Sequence, residues 1–314
     1  MALTLGVDIG GTKIAAGVVD DDGKILTRTR RRTPSRDLDA VENIVVDAIN
    51  DLAKRHAIEA VGVGAAGFVD RGRSKVLLAP NLGWTDANLR LALEAATDLP
   101  VVIENDANAA AWGEREYGGG QGASDMIAVT VGTGIGGGLI LDGALYRGRH
   151  GLAAEIGHMS VEPDGRKCAC GQRGCWEQYA SGNALVREAR ALAADRRAEA
   201  EILLDLGDGT PEGVQGAHVT EAARAGDAVA LEAFAFTGTW LGRGMATLAA
   251  LLDPEVFVIG GGVSEAGDLL FVPARQAFLE FLSGREARPV PAVRLAKLGN
   301  DAGIVGAAAL ARVR

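Results

Sequence analysis

Apolar positions near the start of the chain follow first a strand period and then a helix period. Leu3 to Ile9 and Ile14 to Val19 are apolar runs of strand length on either side of Gly10-Gly11. Asp22-Gly23 reads as a tight hairpin turn into a third strand, Lys24 to Thr29. Leu38, Val41, Ile44, Val45, Ala48, Ile49 and Leu52 then recur at helical spacing. Strands are predicted at Ala60 to Gly64 and at Val101 to Ile103, and a helix from Asn105-Asp106 to near Gly118.

The opening pattern then returns. Met126 to Val131 reads as a strand, Gly132-Thr-Gly134-Ile-Gly136-Gly137-Gly138 as a glycine turn, and Leu139 to Leu141 as a strand. Asp142-Gly143 makes another hairpin turn into a further strand. Two copies of strand, glycine turn, strand, Asp-Gly and strand imply an internal duplication. Downstream, a helix is predicted from about Trp176 to Ala193, a surface loop over Asp205 to Gly216, and a long helix from about Asp227 to Leu252. Asp253-Pro254 stops that helix. The strand Val256 to Ile259 leads through Gly260-Gly261-Gly262-Val263-Ser264 into another helix, and Ala302 to Val313 is the last.

The chain has 314 residues, enough for one large domain or two ordinary ones, with 48% hydrophobic and 23% charged residues. No apolar run approaches the ~20 residues of a membrane span. The start, Met1-Ala-Leu-Thr-Leu-Gly-Val, lacks the basic region of a secretory signal. Reduced thiols and no targeting signal together point to the cytoplasm. With 32 basic and 41 acidic residues the net charge is −9, which argues against broad nucleic-acid contact. Arg28-Thr-Arg30-Arg31-Arg32 is the basic exception and reads as the solvated end of a strand.

The chain's three cysteines all fall in Cys168-Ala-Cys170-Gly-Gln-Arg-Gly-Cys175, with His158 upstream. Three thiols and one imidazole complete a tetrahedral zinc donor set. A disulfide framework would leave one thiol over. Gly171 and Gly174 allow the tight return that brings the sulfurs together. Three unrelated core thiols are the alternative.

Glycine-rich turns between strands bring bare backbone amides close to an anion. Three occur: Asp8-Ile-Gly10-Gly11-Thr12-Lys13, Gly132 to Gly138 with Thr133 and Gly134, and Gly260 to Gly262. Two hold matching places in the duplication, which favours a split nucleotide site. Gly132-x-Gly134-x-x-Gly137 also has the spacing of a dinucleotide fingerprint, but that fingerprint needs a helix to follow, and here a strand and hairpin follow. The turn at Gly260 does run from strand to helix, and could face a nucleotide or be a plain connection. Asp8 is placed to hold a hydrated Mg²⁺ against phosphates, or simply to cap turn amides. Asp106, at a helix start after a strand, could be an ordinary N-cap. It could equally take a proton from an attacking hydroxyl, with Asn105 bonding neighbouring hydroxyls. Glu155, His158 and Glu177 add polar groups suited to a polyol.

Asp8-Ile-Gly-Gly-Thr-Lys13, Glu104-Asn-Asp-Ala-Asn108, Glu155-Ile-Gly-His158 and Cys168-x-Cys-Gly-x-x-Gly-Cys-x-Glu177 resemble, in this order, the ROK family of sugar kinases and repressors. Within it the chain is most similar to the ATP-dependent glucokinases of actinobacterial type. The resemblance implies an α/β protein of actin-like ATPase fold, with two ribonuclease-H-like domains around a central cleft. The expected division is 1–117 plus 300–314 for a small N-terminal domain and 118–299 for a larger C-terminal domain carrying the zinc loop. It implies Asp106 as catalytic base, Asn105, Glu155, His158 and Glu177 as sugar ligands, and Gly67 and Asn81 as further sugar-side positions. His158, Cys168, Cys170 and Cys175 would hold a structural zinc. ATP with Mg²⁺ would be met by Asp8, Gly10, Gly11, Thr12, Lys13, Thr133, Gly134, Gly260, Gly261 and Gly262. Members are usually homodimers or homotetramers.

The expected reaction is MgATP-dependent phosphorylation of the 6-hydroxyl of glucose. Fructose, an N-acetylhexosamine or polyphosphate are the alternatives within the same chemistry. A sugar-responsive regulator is the alternative outside it. Such regulators carry a helix-turn-helix ahead of the first glycine motif, and here that motif begins at Asp8.

Overall fold

The structure is a computed structural model that describes residues 2–34, 37–80 and 82–313. β1 (Leu3–Ile9) and β2 (Lys13–Val19) pair antiparallel, with Asp8 opposite Ala15. Both carry long buried runs, as strands covered on two faces must. β3 (Ile25–Arg32) alternates half-buried and exposed positions along β2. Its arginines stay at the surface as the sequence predicts, Arg28 against Asp301 at 3.1 Å and Arg31 against Asp51 at 2.9 Å. Charges on an edge strand also discourage further strand pairing.

α1 (Leu38–Ala53) starts where the Asp37 side chain accepts a hydrogen bond from Ala40 N, and buries Val41, Val45, Ala48, Ile49 and Leu52. β4 (Ile58–Ala65) then runs parallel to β1. The next elements escape the sequence pattern. β5 (Phe68–Val69), β6 (Val76–Ala79) and β7 (Trp84–Ala87) form a small antiparallel sheet, and α2 (Leu89–Thr97) follows. Strands of two to four residues are too short to display an alternation. β8 (Val101–Asn105) runs parallel to β4 and completes the order β3-β2-β1-β4-β8.

After α3 (Asp106–Tyr117) come β9 (Met126–Val131), β10 (Ile135–Leu141) and β11 (Ala144–Leu145). The glycine turn is shorter than the run of glycines suggests. Gly136, Gly137 and Gly138 belong to β10, and a Cβ on Gly138 would lie 2.3 Å from the Ala111 methyl of α3. Those glycines therefore serve close packing as well as the turn.

The single helix predicted over 176–193 is two, α4 (Glu177–Ala180) and α5 (Gly182–Asp195), parted at Ser181. Ser181 is extended, and its hydroxyl caps α5 by accepting from Ala184 N at 3.2 Å. α6 (Glu201–Leu206) and α7 (Gly216–Arg224) flank the loosely patterned stretch. α8 (Ala228–Leu252) begins at an Asp227 cap and ends at Asp253 in the left-handed region, just before Pro254. β12 (Val256–Gly260), α9 (Asp268–Phe281), β13 (Ala292–Leu295) and α10 (Ala302–Arg312) complete the chain.

The second sheet has the order β11-β10-β9-β12-β13. It repeats the first: third, second, first, fourth and fifth strand. The duplication read from the glycine turns is thus present in the topology.

The chain forms two compact units. One is Met1–Ala128 with Gly137–Ala154 and Ala296–Arg314; the other is Val129–Gly136 with Glu155–Leu295. In the first, α10 lies so close to the sheet that a Cβ on Gly6 would stand 1.9 Å from Ile304 O, and one on Gly62 1.8 Å from Ala307 O. Glu114 of α3 fixes the chain's return there. Its buried carboxylate accepts from Gly119 N at 2.7 Å, Lys297 N at 3.0 Å and Leu298 N at 2.7 Å. Among the described residues no helix is long and apolar enough to cross a membrane.

Candidate active site and metal centre

In the first unit, Asp8, Gly67, Asn105 and Asp106 stand at the carboxyl ends of adjacent strands. Asp8 is the last residue but one of β1, with Gly64 of β4 as its register partner. Its carboxyl also faces the start of α10, where a Cβ on Gly303 would lie 3.1 Å from Asp8 Cγ. Burial, then the nearby Asp106 charge, raise the Asp8 pKa from 3.8 to about 6, with Lys13 opposing. The turn after it closes through Gly10 N donating to Lys13 O at 3.0 Å. Thr33 Oγ1 braces it by donating to Gly10 O at 2.7 Å. Gly11 and Thr12 are exposed. Exposed turn amides of this kind can meet an anion.

Asp106 is not the cap of its helix. Asn105 is: its Oδ1 accepts from Asn108 N at 3.0 Å, and its backbone is extended. This removes the plain capping explanation for Asp106, which occupies the first helical position instead. Asn105 Nδ2 donates to Gly67 O at 3.1 Å and to Asp106 Oδ1 at 3.2 Å. Gly67 must be glycine here, since a Cβ would stand 2.6 Å from Leu78 O. Asp106 is partly exposed as a residue, yet its carboxyl lies deep enough for burial to push its pKa above the ordinary 3.8, against hydrogen bonds from backbone amides that lower it. Asn81 lies outside the described residues.

Sequence reasoning passed over the group behind this site. Glu104 follows the buried apolar run 101–103 of β8, accepts from Arg147 Nε at 2.7 Å and has Arg73 Nε at 3.7 Å. An acid directly after the apolar run of a buried strand was the available signal. A surface cavity of about 400 Å³ lies beside Arg147, lined by Arg71, Leu145, Tyr146, Gly148 and Arg149 as well. None of the sequence-expected site residues lines it.

In the second unit, the donor atoms of His158, Cys168, Cys170 and Cys175 all lie within 4.8 Å of one another. Cys170 Sγ is 3.6 Å from Cys175 Sγ, and Cys168 Sγ is 3.7 Å from His158 Nδ1. Sulfurs bound about 2.3 Å from a tetrahedral zinc stand about 3.8 Å apart, so the spacing fits. Burial, then the bond to Glu177, push the Cys168 thiol up to about 12. A coordinated cation would reverse that, since a ligating thiol is deprotonated. Gly174 makes the return possible: its φ is +72°, and a Cβ would lie 1.8 Å from Glu162 O. Next to Cys175, the fully buried Trp176 donates its Nε1 hydrogen to Trp240 O of α8 at 2.7 Å and anchors the loop.

The cluster is joined to the second glycine turn by Glu177. Its Oε1 accepts from Cys168 Sγ at 3.0 Å and is 3.8 Å from His158 Nδ1. A Cβ on Gly134 would lie 2.7 Å from Glu177 Oε2. The turn is held by Gly132 N donating to Gly134 O at 3.0 Å and Gly182 N donating to Gly132 O at 2.7 Å, while Thr133 O accepts from Asn183 N at 3.4 Å. Glu155 precedes a one-turn 3-10 helix, Ile156–His158, and its carbonyl accepts from His158 N at 3.0 Å. The third glycine turn leads into a 3-10 turn, Gly262–Ala266, before α9 begins. Gly260 ends β12, and Gly261, at φ +87°, has its carbonyl bonded by Ser264 N at 3.0 Å and Ser264 Oγ at 2.7 Å.

The chain is 52% identical to a glucokinase of Streptomyces coelicolor over 312 residues, 99% of this chain and 98% of that one. A solved ROK family glucokinase from Streptomyces griseus, in complex with glucose and AMPPNP, superposes with a TM-score of 0.91 at 51% identity over 100% of both chains. A ROK hexokinase from Thermus thermophilus superposes at 0.83 with 35% identity, over 99% of this chain and 98% of that one. The fold, with its repeated five-stranded sheet, is the actin-like ATPase fold of these sugar kinases. The ROK family model matches residues 4–314, and with the glycine turns, the Asn105-Asp106 pair and the His/Cys cluster all present in family order, the chain belongs to the ROK family.

Proposed function

We propose that the protein transfers the γ-phosphoryl group of ATP to the 6-hydroxyl of glucose. The observation that carries this is the Asn105-Asp106 pair: a carboxylate freed from capping duty, with a raised pKa and an amide beside it. Asp106 takes the proton of the 6-hydroxyl as its oxygen attacks the γ-phosphorus, and the bond from that phosphorus to the β–γ bridging oxygen breaks to release ADP. A raised pKa strengthens its carboxylate as a base. Asn105 orients the sugar, with Gly67, Asn81, Glu155, His158 and Glu177 as further sugar-side groups. The likeness to a glucokinase holding glucose and AMPPNP supports both substrates.

Gly10, Gly11, Thr12 and Lys13, with Thr133, Gly134, Gly260, Gly261 and Gly262, meet the nucleotide through amides, a hydroxyl and one ammonium. When bound, Mg²⁺ supplies charge neutralisation at the phosphates, and Asp8 would hold it through water. His158, Cys168, Cys170 and Cys175 would hold zinc structurally. All four positions are then filled by protein, which leaves no open position for chemistry. His158 Nδ1 is the ring nitrogen beside Cys168, so Nε2 is left for a hydroxyl. The proposed setting is a cytoplasmic homodimer or homotetramer.

A coupled assay over a panel of hexoses, each with MgATP and with polyphosphate, tests the proposal. It predicts the highest kcat/KM for glucose with ATP. A higher value for another sugar, or for polyphosphate, would contradict it.

A further inference from the structure

We propose that Glu104 is a positioning residue for Asp106, and that Arg147 sets its orientation; the inference deepens the kinase reading above and rests on it for its link to turnover. Glu104 contributes no atom to the sugar-side groups assigned so far. Its side chain is 4% exposed, and burying a carboxylate is unfavourable unless it is paired and hydrogen-bonded. Here one oxygen bonds the residues that flank the reacting carboxylate, and the other meets two arginines.

The two oxygens divide the work. Oε1 accepts from Asn105 N at 3.2 Å and from Asn108 Nδ2 at 3.1 Å. It thereby grips the backbone one residue before Asp106 and a side chain two residues after it. Oε2 accepts from Arg147 Nε at 2.7 Å and lies 3.7 Å from Arg73 Nε. Both arginines are anchored at their other ends. Arg73 donates to Leu310 O in the last turn of α10 at 3.0 Å and to Val313 O just after it at 3.4 Å. Arg147 donates to Leu145 O at 3.4 Å, and its own carbonyl accepts from Ala153 N at 3.2 Å. The segments carrying Arg73 and Arg147 and the start of α3 thus converge on one carboxylate. The Arg147 bond to one oxygen restrains rotation of the carboxylate, which favours one setting of the Asn105–Asn108 turn at the other. Misplacing a reacting group by about 1 Å can cost about 10²-fold in rate.

The test compares wild type with Glu104→Gln and Arg147→Lys by steady-state kinetics and by hydrogen exchange at the Asn105 and Asn108 amides. Glutamine keeps the shape and one acceptor but loses the charge that holds Arg147. The expected result for Glu104→Gln is a fall in kcat of about 10- to 100-fold, with the KM for ATP within about twofold, and exchange at both amides about tenfold faster than in wild type. Arg147→Lys keeps the charge but not the Nε geometry, and should move kcat and exchange in the same direction by a smaller factor. If Glu104→Gln does not fold, Arg147→Lys decides alone. Unchanged kcat together with unchanged exchange would overturn the proposal. So would a loss of kcat with unchanged exchange. Exchange does not depend on the substrate, so a wild type inactive on glucose would count against the kinase reading and leave the exchange result to judge Glu104.

Discussion

Asn105 Nδ2 donates to Asp106 Oδ1 at 3.2 Å, so the residue that caps the helix also holds the carboxylate at its first position. One side chain therefore carries a structural and a chemical duty. Asn105→Ala should cost about 1 kcal/mol of stability through the lost cap. It should also raise the KM for glucose and lower kcat. Asn105→Ser can keep the cap but not the amide donor, so it should recover most of the stability and little of the activity. Thermal melts beside initial rates check this, and recovery of both by serine would contradict it.

Asp8 gives a pH dependence of definite sign. Its folded pKa of about 6 lies above the ordinary 3.8, so the folded state binds this proton more tightly than the unfolded chain does. The charged form thus opposes folding at full strength above about pH 6, and the penalty fades as pH falls toward 3.8. Asp8→Asn, in metal-free buffer at neutral pH, should raise stability by up to about 3 kcal/mol and flatten the slope between those pH values. The same variant should lose most turnover. Urea melts across that range measure it; an unchanged slope would contradict it.

Glu114 is a structural counterpart to Glu104. Glu114→Ala leaves the buried amide of Gly119 and the part-buried amides of Lys297 and Leu298 without their acceptor, and should cost about 2 kcal/mol or more. Chemical denaturation reads the loss. A cost under about 1 kcal/mol would show that water or a shift of the chain replaces the carboxylate.

The cysteine cluster predicts one zinc per chain. Cys170→Ser should lower the metal content measured by atomic emission, destabilise the loop anchored at Trp176, and weaken glucose binding through His158 and Glu177. Wild-type protein purified without chelator and free of zinc would contradict this.

What the sequence disclosed followed from how each element is stabilised. The repeated strands, the helices at 38–53 and 228–252 and the cysteine loop are read from long apolar periods, capping residues and ligand spacing, all local to the chain. The three short strands between Phe68 and Ala87 carry too few positions for a period, and their order comes from packing. The break at Ser181 was missed because its neighbours keep helical spacing across it. For the candidate site, Asp106 and Asn105 were legible as a pair, but which of them caps the helix was not, since either residue type can. Glu104, Arg73 and Arg147 meet through contacts spanning up to 43 positions of sequence, which no local pattern encodes.

The most direct measurement is the turnover of wild type and Asp106→Ala side by side with glucose and MgATP, with the product identified by phosphorus NMR and glucose binding by calorimetry. The expected outcome is glucose 6-phosphate from wild type, a kcat lower by about 10²- to 10⁴-fold in Asp106→Ala, and glucose still bound by the variant. A variant that turns over at near wild-type rate, or a wild type that makes no 6-phosphate, would contradict the assignment.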